Sequence, residues 1–151
     1  MPKVYNGDMN KIMDITGKKA VIIGGAGGFG KAIAKGFAEC RCDVLISSRR
    51  EEAFKEAKAE IVETAAKGVK VCYVAGDAGD EATVIKMLEY TVSEEGIGGC
   101  DILVNAQGIN RKMWSYEMDI DFFEKMLLTN VTSMVLTCKH FGNWMKDHNL
   151  D

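Results

Sequence analysis

The feature that most constrains the fold is a glycine-rich segment between an apolar run and a helical run. Five of the seven residues 24–30 are glycines, with the apolar residues 20–23 before them and the helical pattern of residues 31–35 after them. Glycine allows a tight turn and close approach of the backbone to a ligand, and the N–H groups and dipole at a helix start attract an anion. The order of strand, glycine turn and helix predicts a cradle for the pyrophosphate of a dinucleotide.

The same glycines permit a second interpretation, the phosphate-binding loop of a nucleoside triphosphatase. Residues 25–32 follow the pattern G-x-x-x-x-G-K-A, whereas that loop ends in a Ser or Thr whose hydroxyl binds magnesium. Ala32 has no hydroxyl, and phosphoryl transfer depends on the metal for charge neutralisation. The triphosphatase interpretation is therefore disfavoured.

Four short apolar runs predict the strands of a parallel sheet. They are residues 20–23, 44–46, 69–74 and 102–104, and most are continuous, as in strands covered on both faces. Helical spacing separates them, with one stripe of Phe54, Ala57, Ile61, Val62 and Ala65 and another of Val84, Met87, Leu88 and Thr91. This alternation predicts an α/β fold, a Rossmann-like doubly wound parallel sheet.

The last segment, residues 119–148, predicts a single long helix. Its expected inner face is made of Phe123, Leu127, Met134, Cys138, Phe141 and Met145. Asn130 lies in the same stripe, and a buried amide must find hydrogen-bond partners or cost a few kcal/mol.

Composition excludes several classes of protein. The 151 residues suffice for one core, and 47% apolar with 27% charged residues is ordinary for a globular domain. A net charge of -3 provides no basic field for nucleic acid, and no apolar run approaches the roughly 18 residues of a membrane span. The start has no signal-peptide pattern, so we expect a cytoplasmic protein. Five cysteines without a C-x-x-C indicate reduced thiols, and with only two histidines we expect no metal site.

The chain resembles the short-chain dehydrogenase/reductase family from about Asp14 to its last residue. The family motif T-G-x-x-x-G-x-G matches residues 23–30, with Ile23 in place of the threonine. The resemblance implies a lead-in over residues 1–15 and an incomplete dinucleotide-binding Rossmann domain over residues 16–151. It also implies cofactor contacts at Gly24, Gly28, Phe29 and Gly30.

Three further matches do not depend on the glycines. Asp77, with Ala78 beside it, resembles the family aspartate that meets the adenine. The family motif N-N-A-G appears as N-A-Q-G, which keeps Asn105 and Gly108 as cofactor-binding positions. Asn130 falls where the family places the asparagine of its catalytic tetrad, which holds a water in a proton relay; the alternative is a core asparagine bonded to the backbone.

The end of the second predicted strand favours NADP over NAD. An NAD site places an acid there to accept from the ribose 2′-hydroxyl, but this chain has Ser48 at that position and no acid before Glu51. Arg49, which follows directly, can form a charge-assisted contact with a 2′-phosphate. The alternative is that Arg49 and Arg50 are simply solvated charges.

The family's catalytic Tyr and Lys, spaced Y-x-x-x-K, have no match in this chain. The residues four places after Tyr5, Tyr73, Tyr90 and Tyr116 are Met, Asp, Glu and Ile. Without that acid/base the roughly 10²- to 10⁴-fold contribution of proton transfer is lost, so we expect the 151-residue chain alone to be inactive. We interpret it as the cofactor-binding half of a longer oxidoreductase, truncated after its fourth strand and long helix.

The resemblance further implies hydride transfer between NADP(H) and an alcohol or ketone in a full-length homo-oligomer. Residues 105–114 most resemble members that act on sugar acids, such as gluconate 5-dehydrogenases, and Arg111 is the candidate for meeting a substrate carboxylate. The alternative from another functional class is a non-catalytic NADP-binding or protein-interaction module.

Overall fold

The computed structural model describes residues 14–148. The predicted lead-in therefore lies outside the described residues except for Asp14 and Ile15. The elements, in chain order, are β1 (Lys19–Ile23), α1 (Gly28–Glu39), β2 (Asp43–Ser48), α2 (Glu51–Thr64), β3 (Val71–Ala75), α3 (Glu81–Val92), β4 (Ile102–Asn105), a 3₁₀ turn (Ser115–Glu117), α4 (Ile120–Leu127), a π-helical turn (Leu128–Thr132) and α5 (Ser133–His148).

The four strands form one parallel sheet in the order β3-β2-β1-β4. Ile22 of β1 lies opposite Ile46 of β2 on one side and Val104 of β4 on the other. The chain moves outward through β2 and β3 and then crosses back to place β4 beside β1, so the winding reverses between β1 and β4. The predicted doubly wound Rossmann-like sheet is confirmed, and a reversal of this kind opens a crevice at the carboxyl ends of the strands.

Continuous apolar runs cover both faces of the sheet because successive side chains of a strand point to opposite faces. Ala20 and Ile22 of β1 pack with Ala34 of α1 and Phe54 of α2 on one face. Val21 and Ile23 join a second cluster that includes Met87 of α3 and Phe141 of α5. Most of the two predicted stripes is buried or partly buried, but Val62 is 52% exposed.

The inner face of the last helical segment differs from the predicted one. Phe141 is buried as predicted and Met145 is partly buried, but Phe123, Leu127, Met134 and Cys138 are exposed. Ser133 and Thr137, which are not in the predicted stripe, are buried instead. Small hydroxyl residues fill the inner positions because they bond back to their own helix: Ser133 Oγ donates to the Thr129 carbonyl at 2.6 Å. The segment is also not one regular α-helix, since the π-helical turn interrupts it.

Three of the cysteine thiols are buried, and burial keeps them protonated. Cys42, Cys72 and Cys100 are buried, and burial raises the pKa of Cys42 to about 11 and that of Cys100 to about 12. Thiols with such pKa values stay protonated at neutral pH and are poor nucleophiles.

Across residues 14–148, none of the helices combines the length and the apolar character that crossing a membrane requires.

Candidate functional site

A cleft of about 520 Å³ lies at the carboxyl ends of the strands. The glycine turn after β1 forms its floor, and the ends of β2 and β3 form one wall. The loop after β4, with Thr129 and Ser133, forms the other wall. This volume falls in the range of roughly 300–1,000 Å³ that is usual for small-molecule sites.

The glycine turn is shaped by contacts that a side chain would block. Gly24 has φ +77°, and a Cβ there would lie 2.7 Å from the backbone N and Cα of Gln107. A Cβ on Gly30 would lie 2.5 Å from the carbonyl oxygen of Gly24. Helix α1 therefore starts directly against the turn, capped by Gly27 without a side-chain bond. Its first N–H groups lack partners within the helix, which suits a phosphate.

The ends of β2 and β3 form a charged corner of the cleft. Ser48, Arg49, Arg50 and Asp77 all line it, and the Gly76 N–H donates to the Ser48 carbonyl at 3.1 Å, which ties the two loops together. The guanidinium of Arg49 lies 4.0 Å from the Asp77 carboxylate, and both side chains are about half exposed. The corner thus presents two cations that a solvent-borne anion can reach.

The opposite wall is held by a network of side-chain amides and hydroxyls. Asn105 Oδ1 accepts from Thr137 Oγ1 at 2.6 Å and from Gln107 Nε2 at 3.2 Å. Gln107 Nε2 also donates to Ser133 Oγ at 2.9 Å. Gln107 Oε1 is shielded from solvent and has no hydrogen-bond partner among the described residues. An unpartnered polar atom in the wall of a cleft is a position where a bound ligand or water fits.

Asn130 fixes the loop after β4 to the π-helical turn. Its Oδ1 accepts from the Ile109 N–H at 2.8 Å and its Nδ2 donates to the Ile109 carbonyl at 2.9 Å. A Cβ on Gly108 would lie 3.4 Å from Asn130 Oδ1, so this loop packs closely against the amide. The side chain thus makes the backbone bonds of a core asparagine, and the π-turn aims it at the loop. Its part in a proton relay stays a prediction.

The structure brings six of the predicted cofactor positions to the cleft and leaves four outside its lining. Those in the lining are Gly24, Ser48, Arg49, Asp77, Ala78 and Gly108. Gly28 and Gly30 belong to the helix start behind the turn, Asn105 is engaged in the amide network, and the Phe29 side chain is 87% exposed. The Phe29 side chain therefore points away from the cleft lining, and only its backbone N–H is available for the expected cofactor contact.

The candidate substrate residue Arg111 also lies outside the lining. It is exposed, and its guanidinium stands 5.5 Å from the centre of the Phe122 ring. Among residues 14–148 no group of three His, Cys, Asp or Glu side chains could hold a metal ion.

Three residues of the wall were missed in the sequence. Gln107 replaces the alanine of the family motif, and its long amide reaches Ser133 across the wall. Thr129 and Ser133 flank Asn130 at helical spacing and could have been found if the hydroxyl face, rather than the apolar face, had been placed inward.

Comparison with known proteins agrees with this geometry. L-rhamnose 1-dehydrogenase (NADP(+)) of Thermoplasma acidophilum is 37% identical over 123 residues, which are 81% of this chain and 46% of that protein. A short-chain type dehydrogenase/reductase from Mycobacterium marinum superimposes with a TM-score of 0.85 at 30% identity, over 95% of this chain and 56% of that one. L-sorbose reductase from Gluconobacter frateurii, solved with NADPH and L-sorbose, gives a TM-score of 0.79 at 30% identity, over 89% of this chain and 50% of that one.

The chain spans about half the length of the curated relatives it matches. The family model described as short chain dehydrogenase matches residues 18–149, which include all four strands and both walls of the cleft. With the glycine turn, the winding of the sheet and this match in agreement, the chain belongs to the short chain dehydrogenase family of oxidoreductases.

Proposed function

We propose that this chain is the cofactor-binding part of an NADP-dependent oxidoreductase that exchanges a hydride between NADP(H) and an alcohol or ketone. The observation that carries the proposal is the charged corner: β2 ends in Ser48, followed by Arg49 and Arg50, with no acid where an NAD site needs one. Arginine suits a phosphomonoester because its planar group donates two parallel hydrogen bonds.

The residues of the cleft fit a dinucleotide along its length. The glycine turn admits the pyrophosphate, since Gly24 and Gly30 leave no room for a Cβ and the start of α1 offers N–H donors. The corner of Arg49 and Arg50 suits the 2′-phosphate end, and the shielded Gln107 Oε1 offers an acceptor on the opposite wall. A nicotinamide cofactor bound here would supply the hydride.

The chain's own residues would bind and orient the cofactor, and Asn130 is the one candidate among them for a part in proton transfer. Asn130 holds the loop after β4 in place through both backbone groups of Ile109, which keeps Gly108 at the cleft. The tyrosine, lysine and serine that the family uses for acid/base chemistry and substrate orientation have no counterpart in this sequence. We therefore propose that turnover needs a longer form that supplies them.

For the substrate we propose a sugar or sugar acid. A rhamnose dehydrogenase and a sorbose reductase are among the proteins similar to this chain, which supports a polyhydroxylated substrate. The resemblance to gluconate 5-dehydrogenases adds a carboxylate, for which the exposed Arg111 remains the candidate partner. Replacing Arg111 with Ala in a catalytically complete form would then raise KM for sugar acids and leave KM for neutral ketones unchanged.

We also propose a cytoplasmic homo-oligomer. Large apolar side chains are exposed along the last helical segment, among them Phe123, Leu127, Val131 and Val135. Such a row of apolar side chains is suited to burial between subunits.

The test of the cofactor proposal is the ratio of dissociation constants for NAD and NADP, measured by calorimetry. Charge-assisted hydrogen bonds contribute about 1.5–3 kcal/mol, so Arg49→Gln is expected to weaken NADP binding about tenfold or more and leave NAD unchanged. Lys146→Gln removes a positive charge at the far end of α5 and serves as the control. Tighter binding of NAD than of NADP by the unsubstituted chain refutes the proposal.

The second candidate function is a non-catalytic NADP-binding or interaction module, and the exposed apolar side chains of the last segment are what favours it. Nicotinamide absorbance distinguishes the two. A complete form is incubated with NADPH and a panel of sugar ketones. The absorbance of the nicotinamide band should fall if the protein is an oxidoreductase and stay constant if it is a non-catalytic module.

A further inference from the structure

Asp77 is the sole acidic residue in the lining of the cleft over the described residues, and it lies beside the cations. The lining contains two basic side chains, Arg49 and Arg50, and all three charges are at the ends of β2 and β3. The Asp77 Oδ2 atom is 4.0 Å from the Arg49 Nη1 atom. The charged corner is therefore an arginine pair partly neutralised by one carboxylate.

The position of Asp77 is set by the backbone rather than by Arg49. Its Oδ1 atom accepts from the Gly79 N–H at 2.9 Å, while Oδ2 faces the guanidinium. The bond from the Gly76 N–H to the Ser48 carbonyl holds the loop beside the end of β2. The carboxylate therefore stays at the corner whether or not Arg49 turns toward a ligand.

We propose that Asp77 is a specificity-determining residue that lowers the affinity of the corner for a 2′-phosphate and so sets the degree of NADP preference. The inference rests on the proposed function of this cleft. A phosphate dianion must compete with the carboxylate for Arg49, and it is also repelled by that carboxylate. The opposing effect, in which Asp77 holds Arg49 ready for the phosphate, is the smaller one, because the half-exposed pair at 4.0 Å holds Arg49 only loosely whereas the carboxylate repels both charges of the dianion.

The change that tests this is Asp77→Asn, because an asparagine keeps the oxygen that accepts from the Gly79 N–H and removes only the charge. The probes are adenosine 2′,5′-bisphosphate and AMP, which differ only in the 2′-phosphate. Any contact of residue 77 with the adenine affects both probes equally, so the ratio of their dissociation constants isolates the effect on the phosphate.

We expect Asp77→Asn to increase the preference for the bisphosphate about three- to tenfold at low salt. This is the size expected from removing the repulsion between a carboxylate and a phosphate that lie closer together than the Debye length. The gain should shrink in high salt and in the double variant with Arg49→Gln, neither of which a purely structural role of Asp77 would produce. Glu63→Gln is the matched control: it removes the same charge from α2, roughly 18 Å along the helix from the Glu51 end, and should leave the ratio unchanged.

The outcomes separate this inference from the proposed function. If the unsubstituted chain binds the bisphosphate no better than AMP, the NADP proposal fails and this inference fails with it. If the chain prefers the bisphosphate but Asp77→Asn leaves that preference unchanged or weakens it, the NADP proposal stands and the role assigned to Asp77 is overturned. A gain of equal size in Glu63→Gln overturns it as well, since the effect would then be one of net charge.

Discussion

Replacing Gly30 with alanine tests whether the steric cost of a methyl group in the glycine turn exceeds the gain in stability that alanine normally brings to a helix. A Cβ at this position would lie 2.5 Å from the Gly24 carbonyl oxygen and 2.8 Å from the Gly25 Cα atom, whereas ordinary contact begins at 3.4 Å. The turn would have to move by about 0.9 Å. It cannot do so freely, because the Gly25 N–H is bonded to the Ser47 carbonyl and the Gly27 N–H to the Gly24 carbonyl.

The magnitude follows from two opposing contributions. Forcing an extra methyl group into a packed site costs about 1–3 kcal/mol, and the upper end applies here because the obstacle is backbone. Alanine in place of glycine stabilises a helix by up to about 1 kcal/mol. Gly30→Ala should therefore lower the free energy of unfolding by about 2 kcal/mol, and dinucleotide binding should weaken because Gly24 is displaced.

Gly36 provides the matched control within the same helix. A Cβ there meets nothing within 4 Å, so Gly36→Ala should gain the helix contribution alone, about 1 kcal/mol, with unchanged NADP affinity. Urea unfolding followed by circular dichroism gives both stabilities, and calorimetry gives both affinities. The reasoning is refuted if Gly30→Ala is as stable as the unsubstituted chain, or if the two variants change stability in the same direction.

Three further predictions concern the core and its pH dependence. Phe141→Ala should lower the free energy of unfolding by about 3–5 kcal/mol in urea titrations, since the ring is fully buried against the sheet. Thr137→Val should cost about 1–2 kcal/mol in the same titrations, because it removes a buried hydroxyl that donates to Asn105 at 2.6 Å; no loss would mean that this bond is not formed. The free energy of unfolding should fall as pH rises above 9, because Cys42 and Cys100 keep their protons to a pKa of about 11 and about 12 in the folded chain while the unfolded thiols ionise near 9.0. The difference between the urea midpoints at pH 8 and pH 10 should shrink when both cysteines are replaced with alanine, and an undiminished difference contradicts the assignment.

Sequence patterns predicted the sheet because its strands are covered on both faces. A continuous run such as Val44, Leu45 and Ile46 leaves no polar side for solvent, so its burial in a parallel sheet follows from the local sequence pattern. The glycine turn was equally predictable, since five glycines within residues 24–30 stand between an apolar run and a helical run. These features are local, and each depends on a few consecutive residues.

The inner face of the last segment could not be read from hydrophobicity. Helical spacing favours Phe123 and Met134, yet the inward positions hold Ser133 and Thr137, whose hydroxyls are satisfied by their own helix and by the network around Asn105. These partners come from β4 and the loop after it, so their availability depends on tertiary structure. Phe123 and Met134 face outward as a result, whereas Phe141 keeps its predicted place in the core.

The same limit applies to the charged corner. Ser48 and Arg49 could be singled out because they lie at the end of a predicted strand, but the approach of Asp77 to Arg49 joins loops that follow two different strands. Only the parallel pairing of β2 with β3, in which Ser48 lies opposite Ala75, brings them together.

The π-helical turn at Leu128–Thr132 holds one residue more than a turn of regular α-helix would. A one-codon deletion there would restore a regular α-helical repeat and would raise local helix regularity. Closing the same residues into a regular α-helix without the deletion would instead rotate everything downstream by about 100° relative to α4, because each surplus residue of an α-helix advances the chain by that angle. Phe141 would leave the core and Asn130 would lose Ile109, so the irregular turn sets the angular phase of the 16 residues that follow it.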